Sequence, residues 1–408
     1  MLSKYIPKRF AQAMIKHVVA VSLFFPYIYS HRDNCYYQDF ILANFFAVLA
    51  IIFIFTSWKL NLRKNGILLA GMGILLIAYN VCFTYMNYHY HHWYGEQINT
   101  TIIFLFFMVL LMVKDVHALI DNSVIRSIIH MMVISNVLAI GYRLITENNR
   151  LWIMNNYVRI DKFKADMSPL YSWLYVHKCQ YAFILLLCIA FFVIHRKSFC
   201  NLFTYLLSLG VLIFALYLSD TYTSMAAAAL IFVGQFMDYL CKTKWWKKLI
   251  AAVLIGIPGC IGFNKLYEII SVERNLSTLG SRTLIWKVSI EHIVNNPNGL
   301  FDFIMGVDTY KYFHPKLGYY LYAYNCHNVF LIYMFRFSIL VGGIFLSIII
   351  LLFLISLKRK PSFLTLCIWI AFFISWSMDY SMTCSETTIS MLIFFLLFFI
   401  PKKEHAVA

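Results

Sequence analysis

The chain carries little charge for its length. Only 13% of its 408 residues are Asp, Glu, Lys or Arg, whereas soluble domains carry roughly 25%. Hydrophobic residues make up 62% of the chain, and the mean hydropathy is +0.73. This composition excludes a soluble domain of ordinary size, and no nucleic-acid partner is predicted.

The sequence also lacks paired cysteine motifs. Its 10 cysteines include no CxxC pair, and several lie inside apolar runs, so we interpret them as small hydrophobic residues rather than as a metal site or disulfide framework. The N-terminus is basic and then apolar, as in a signal sequence. No small-residue cleavage site follows FFPYIYSHRDN. The apolar part of the N-terminus is therefore predicted to be the first membrane span.

Long apolar runs recur along the whole chain. A bilayer core about 30 Å thick is crossed by about 20 apolar residues in a helix. The sequence predicts an all-α, polytopic membrane protein of a single integral membrane domain (1–408) with about 12 transmembrane helices. The predicted spans are 12–30, 39–57, 66–86, 98–113, 127–146, 180–195, 202–219, 224–240, 249–264, 328–357, 362–380 and 386–400. The run 328–357 is too long for one simple span and is predicted to begin with a surface-lying or re-entrant piece.

The basic residues predict the orientation of these spans. With the N-terminus in the cytoplasm, most Lys and Arg residues fall in short inside connections, and both termini are cytoplasmic. Two long outside loops, 147–179 and 265–327, are basic as well. Long loops translocate largely regardless of charge. Their basic residues, including Arg159 and Arg274, are explained either by a surface near lipid headgroups or by an anionic ligand held above the membrane.

The second loop contains a predicted amphipathic helix over 281–296. Gly280 breaks the chain before it, and Pro297 and Gly299 follow it. Ile285, Trp286, Val288, Ile290, Ile293 and Val294 form a broad apolar stripe, and Lys287 and Glu291 form an i,i+4 pair. Such a helix can lie on the bilayer. Arg282 is then in its first turn, where a guanidinium can hold diphosphate oxygens in a bidentate way; a simple surface anchor needs no ligand.

The same loop ends in CHNVFLIYMF, with His327 and Asn328 next to an apolar run. A histidine is the usual general base at neutral pH. We predict that Asn328 orients either this histidine or the substrate. An ordinary interfacial histidine is the alternative.

Taken together, GSRTLIWKVSIEHIVNNPNG, FIMGVDTY and CHNVFLIYMF resemble the O-antigen ligase and O-antigen polymerase superfamily. The family pattern is Gly-x-Arg, an aromatic residue four positions on, Asn-Pro, glycine-containing turns and then His-Asn at a helix start. The motifs cover residues 280–330, and the layout of spans and loops agrees over about 180–345.

The resemblance implies a GT-C-like, metal-independent glycosyltransferase of the bacterial inner membrane without a cofactor. Its donor would be a glycan on undecaprenyl diphosphate, and its acceptor a glycan or lipid A-core. Membrane lipids and a chain-length regulator are further candidate partners. His327 would be the base and Arg282 the phosphate clamp. The candidate substrate-binding residues are Arg143, Arg159, Arg274, Asn328 and Arg336.

Two positions depart from the ligase pattern. Ligases carry an arginine near the turn that reads YLSDTYTSMAAAAL here, and this chain has none there. Ligases also tend to have glycine eleven residues after the histidine, where this chain has Ser338. We therefore favour a polymerase over a ligase, with Arg336 or Arg143 as the replacement cation; either could instead snorkel to the outer surface.

Other sites and functions stay open. The stretch YHYHHWYGEQ could bind zinc through His89, His91, His92 and Glu96, but its Tyr and Trp residues favour an aromatic belt, and no metal site is predicted. Asp379 and Glu386 are alternative partners of His327. A twelve-span transporter is the rival function, although no repeated halves are visible.

Overall fold

The computed structural model describes residues 121–148, 173–174, 178–241, 282–295, 297–305, 310–314, 319–323, 328–359 and 361–378, with isolated positions in 12–24 and 74–78. These residues are mostly helical, as predicted. In chain order the first helices are α1 (Asn122–Thr146), α2 (Lys178–Ile194), α3 (Leu202–Leu218) and α4 (Tyr222–Cys241), with a 3₁₀ turn at Arg196–Ser198 between α2 and α3.

The later elements are shorter and more varied. They are α5 (Arg282–Asn295), α6 (Gly299–Met305), β1 (Tyr310–His314), β2 (Tyr319–Ala323), α7 (Val329–Ile332), a π-helical segment (Tyr333–Phe337), α8 (Ile339–Arg359) and α9 (Phe363–Met378). Strands β1 and β2 form an antiparallel hairpin in which Tyr312 faces Leu321. This hairpin is the exception to the all-α prediction. The aromatic-rich segments YKYFH and YYLYA suit a pleated strand.

Three of these helices, α1, α4 and α8, are long and apolar enough to cross a membrane. Helices α2, α3 and α9 are apolar but shorter. Five of these helices coincide with the predicted spans 127–146, 180–195, 202–219, 224–240 and 362–380 to within about five residues, whereas α8 covers only the later part of the predicted span 328–357. The other predicted spans lie outside the described residues.

The chain divides into two units, residues 1–225 with 381–408 and residues 226–380. In the first unit α2 is buried on all sides from Cys179 to Val193, as expected for a helix that is apolar all round. Its neighbour α3 also packs on α1. The buried Asn136 of α1 is satisfied: its Nδ2 donates to the Met132 carbonyl at 2.7 Å, and the Tyr181 hydroxyl donates to its Oδ1 at 2.7 Å.

In the second unit α4 and α9 approach closely. A Cβ at Gly234 would lie 2.6 Å from the Cys367 Cβ, so only glycine permits this distance, a common device where membrane helices pack. Helices α8 and α9 are tied by the Trp369 indole, which donates to the Ser356 hydroxyl at 2.6 Å. These contacts fix the frame on which the segment 328–338 rests.

Candidate functional site

Arg282 begins helix α5, which runs from Arg282 to Asn295 and so confirms the predicted helix over 281–296. Its side chain is partly buried, and the first turn contains no acidic residue. The N-terminus of a helix carries a partial positive charge, so a cation there is unfavourable by itself. An anion placed at this end would be attracted both by the guanidinium and by the positive end of the helix dipole.

Two other helix starts in the described chain have a carboxylate, rather than a cation, next to their first backbone amides. At α1 the Asp121 carboxylate accepts from the Ser123 and Val124 amides at 3.0 and 3.1 Å. At α9 the Asp238 carboxylate accepts from the Phe363 amide at 2.8 Å. These two helix ends are stabilised by a carboxylate of the protein itself. At the start of α5 the Arg282 guanidinium and the helix dipole have the same sign, an arrangement that can attract an anion.

The rest of α5 carries an ion pair and part of the predicted apolar stripe. Lys287 and Glu291 form the predicted ion pair, with 3.6 Å between Nζ and Oε1. Of the apolar stripe, Ile285 is buried against protein, whereas Ile290 and Val294 are 52% and 74% exposed. The charge of Lys287 is therefore balanced within the helix, and part of the stripe remains available to a bilayer surface.

Helix α5 is connected to residues 328–338 through α6. Helix α5 packs on α6 and on β1, and α6 packs on both the π-helical segment and α8. Arg282 of the GSR motif and Asn328 of the HN motif thus belong to elements of one packed cluster in the second unit. The sequence predicted their order along the chain, and the packing of α6 joins the helices that carry them.

We call residues 328–338 the broken segment, because it contains α7, the π-helical segment and Ser338 before α8 begins. Asn328 caps α7: its Oδ1 accepts from the Leu331 amide at 3.1 Å, and its Nδ2 donates to the Ser377 carbonyl at 3.2 Å. Its amide therefore fixes the start of the segment to the end of α9. The prediction that 328–357 begins with a separate piece before the long helix agrees with this break.

Aromatic rings hold the broken segment in place. Tyr333 stacks on Phe345 with ring centres 4.3 Å apart, and Phe330 stacks on Phe373 at 5.9 Å. Phe330 also meets Trp376 edge-on at 6.1 Å. Offset and edge-on ring pairs of this kind add specific geometry to apolar packing, so the segment has one defined path between α8 and α9.

Ser338 has a backbone conformation that favours glycine, with φ 118° and ψ 161°. This region costs a non-glycine residue about 1–3 kcal/mol. The serine compensates in part, because its Oγ accepts from the Val341 amide at 3.3 Å and caps α8. The position where the resembled ligases tend to have glycine therefore has, in this chain, a backbone conformation that favours glycine.

Arg143, the candidate residue of the first unit that the structure describes, is engaged in the fold. The Arg143 guanidinium donates to the Glu147 carbonyl at the C-terminus of α1, where a cation is favourable. Glu147 closes this helix end with φ 58°. Arg143, one of the two replacement cations we considered, thus has a structural role at this helix end.

Lys178 is a cation that sequence reasoning did not connect with the turn between α3 and α4. Its ammonium donates to the Asp220 carbonyl at 2.8 Å and lies 3.4 Å from the Asp220 carboxylate. Its side chain is only 12% exposed. The turn at which the resembled ligases carry an arginine thus receives a cation from Lys178, which is 42 residues away in sequence. No local signal reveals such a pairing, and Asp220 neutralises its charge.

Several predicted site residues lie outside the described residues. They are His327, Arg274, Arg159, Asp379, Glu386 and the group His89, His91, His92 and Glu96. Arg336 belongs to the π-helical segment by its backbone, but its side chain is not described. Within the described ranges no group of three His, Cys, Asp or Glu residues could hold a metal ion.

Comparison with known proteins adds no relative. No protein-family model matches the chain, and no curated protein matches it. A proposal about function therefore rests on the residues and their geometry. Arg282 lies at the positively polarised start of α5, and α6 packs on both α5 and the π-helical segment.

Proposed function

We propose that this protein is a polytopic inner-membrane glycosyltransferase that uses an undecaprenyl-diphosphate-linked glycan as donor. The acceptor is a sugar hydroxyl at the periplasmic face, and the product is O-antigen or a related surface polysaccharide. The observation that carries the proposal is Arg282 in the first turn of α5, where guanidinium and helix dipole attract the same anion.

The chemistry follows from the proposed positions. The acceptor oxygen attacks the anomeric carbon of the donor, and the bond from that carbon to the diphosphate breaks. His327 takes the acceptor proton as general base. Arg282 stabilises the charge that develops on the departing diphosphate, which remains attached to the lipid.

Exposed apolar side chains support a site at a membrane surface. Ile290 and Val294 on α5 are joined by Leu300 and Phe301 on α6, which are 64% and 56% exposed. Exposed apolar side chains of this kind can rest in the interfacial layer of a bilayer. A donor whose lipid stays in the membrane would then present its diphosphate to the start of α5.

A ligase that transfers the glycan to lipid A-core is the second candidate. It is favoured by Ser338, whose φ of 118° reproduces the backbone expected for the family's glycine. Against it stands the turn at Asp220, where the cation is Lys178 and is paired with Asp220. We keep the polymerase as the main proposal.

Surface polysaccharide from a deletion strain distinguishes the candidate functions. Loss of a polymerase leaves lipid A-core with one repeat unit, whereas loss of a ligase leaves core without any repeat. A transporter would move its substrate without changing glycan length, so purified protein would not lengthen a lipid-linked glycan. Wild-type chain lengths in the deletion strain would refute both transferase proposals.

The mechanism is tested with purified full-length variants. We expect His327→Ala to lower the single-turnover rate by about a hundredfold or more while donor binding is largely retained. Arg282→Ala should weaken donor binding and lower turnover. Lys287→Gln is the matched control, because it removes a cation that is already paired on the same helix. A normal rate in His327→Ala would show that His327 is not the base.

A further inference from the structure

A second site is suggested by a cavity of about 380 Å³ in the first unit, between α1, α3 and the turn that joins α2 to α3. Its volume is in the range of small-molecule pockets, about 300–1,000 Å³. Its lining residues do not include any of the predicted catalytic residues. They are Arg126, Ile129, His130, Val133, Ile134, Ser198, Phe199, Cys200, Thr204 and Ser208.

The polar part of the cavity is basic. Arg126 and His130 lie four residues apart on α1 and therefore on the same face. Ser198, Thr204 and Ser208 also line the cavity. Among the described residues, no acidic residue lines the cavity and no carboxylate pairs with Arg126. An arginine guanidinium is suited to binding a phosphate group.

The apolar part of the cavity continues onto an exposed apolar surface. Ile129 and Val133 line the inner wall, and Ile134 lines the cavity while being 51% exposed. Leu138, one turn further along α1, is 52% exposed. A ligand with a phosphate at Arg126 could therefore extend a hydrocarbon chain over Ile134 and Leu138.

The predicted topology places this end of α1 and α3 on the cytoplasmic side, because Arg126, Arg196 and Lys197 lie in inside connections. Cytoplasmic leaflets are rich in anionic lipids, and basic pockets between membrane helices bind their headgroups. We propose that this cavity binds an anionic phospholipid of the cytoplasmic leaflet, with its phosphate at Arg126 and its acyl chains along α1. The proposal goes beyond glycosyl transfer and does not depend on it.

The test uses the purified full chain in a neutral detergent and measures lipid binding by native mass spectrometry. Short-chain phosphatidylglycerol is compared with phosphatidylcholine of the same chain length and with free glycerol phosphate. We expect phosphatidylglycerol to bind about tenfold more tightly than either, because only it combines net negative charge with acyl chains. Equal binding of phosphatidylcholine, or full binding of glycerol phosphate, would overturn the assignment of an anionic lipid.

Matched variants locate the site. Arg126→Gln should raise the Kd for phosphatidylglycerol about tenfold, as expected for the loss of a charge-assisted hydrogen bond. Lys197→Gln removes the same charge from the same end of the unit but does not line this cavity, and it should change the Kd less than about twofold. Equal weakening by both variants would mean general attraction to a basic surface and would refute a site in the cavity. Thermal unfolding without lipid checks that both variants fold.

Discussion

The two units use their cations at helix ends in different ways. In the first unit Arg143 meets the Glu147 carbonyl at the C-terminus of α1, and Lys178 meets Asp220 beside the turn between α3 and α4. Both cations face oxygen atoms of the protein, which is electrostatically favourable. In the second unit Arg282 stands at the N-terminus of α5, where the helix dipole opposes it.

The two units also differ in the regularity of their backbone. The described helices of the first unit are regular along their length apart from their ends and connections, whereas the broken segment of the second unit contains a π-helical segment and the strained Ser338. Irregular backbone among membrane helices is tolerated where it is buried in protein or lines a polar cavity, and π segments are frequent at functional sites. The comparison gives Arg143 and Lys178 of the first unit structural roles, and it supports the proposal that Arg282 binds a ligand.

Among the residues compared between the two units, the largest effect is expected for the Arg282 side chain. Arg282→Lys keeps the charge but loses the planar fork, so glycan transfer from a lipid-linked donor should fall by about tenfold or more. Lys287→Gln should leave transfer near the wild-type rate, because Lys287 is paired with Glu291. Transfer would be measured at matched protein levels. A fully active Arg282→Lys would reduce Arg282 to a surface anchor.

Gly342 and Gly343 provide a matched pair for the packing of the broken segment on α8. A Cβ at Gly342 would lie 2.6 Å from the Met334 Cγ and 2.9 Å from its backbone, whereas nothing lies within 4 Å of one at Gly343. Gly342→Ala should therefore destabilise the protein by about 1–3 kcal/mol. Gly343→Ala should be neutral or stabilise by up to about 1 kcal/mol. Thermal unfolding in detergent measures both, and equal stabilities would contradict the close approach of Met334.

Ser338 tests the strained backbone itself. Ser338→Ala loses the cap on the Val341 amide and keeps the strain, so it should destabilise by about 1 kcal/mol. Ser338→Gly loses the same cap but relieves the strain, and it should be at least about 1 kcal/mol more stable than the alanine variant. The unfolding midpoints of the two variants measure this difference in stability. An alanine variant as stable as the glycine variant would be incompatible with a positive φ at this position.

The smallest effect is expected at Lys178. Lys178→Met removes its hydrogen bond to the Asp220 carbonyl and should cost about 1 kcal/mol of stability. Asp220 is 47% exposed, so water can solvate its carboxylate. Donor affinity should not change, in contrast to Arg282→Ala. If Lys178→Met weakened donor binding as strongly as Arg282→Ala, the contrast between the units would fail, and Lys178 would join the candidate site.

The sequence by itself determined the regular helices. Runs of about 20 apolar residues have one stable solution in a bilayer, because a helix satisfies all its backbone polar groups internally. For that reason α1, α4 and α8 lie where hydropathy predicts them, and the break before α8 was visible as excess length. Gly280 and Pro297 likewise delimit α5 by local rules.

Tertiary structure decided which partners the polar residues of the helices contact. The pairing of Lys178 with Asp220, the tie from Asn328 to Ser377, and the packing of α6 between α5 and the broken segment join residues that are distant in sequence. The hairpin of β1 and β2 and the glycine-like backbone of Ser338 are also decided by neighbours rather than by propensity. Local sequence fixes hydrogen bonds within four residues along a helix, whereas a contact across 40 or more residues depends on how whole helices pack.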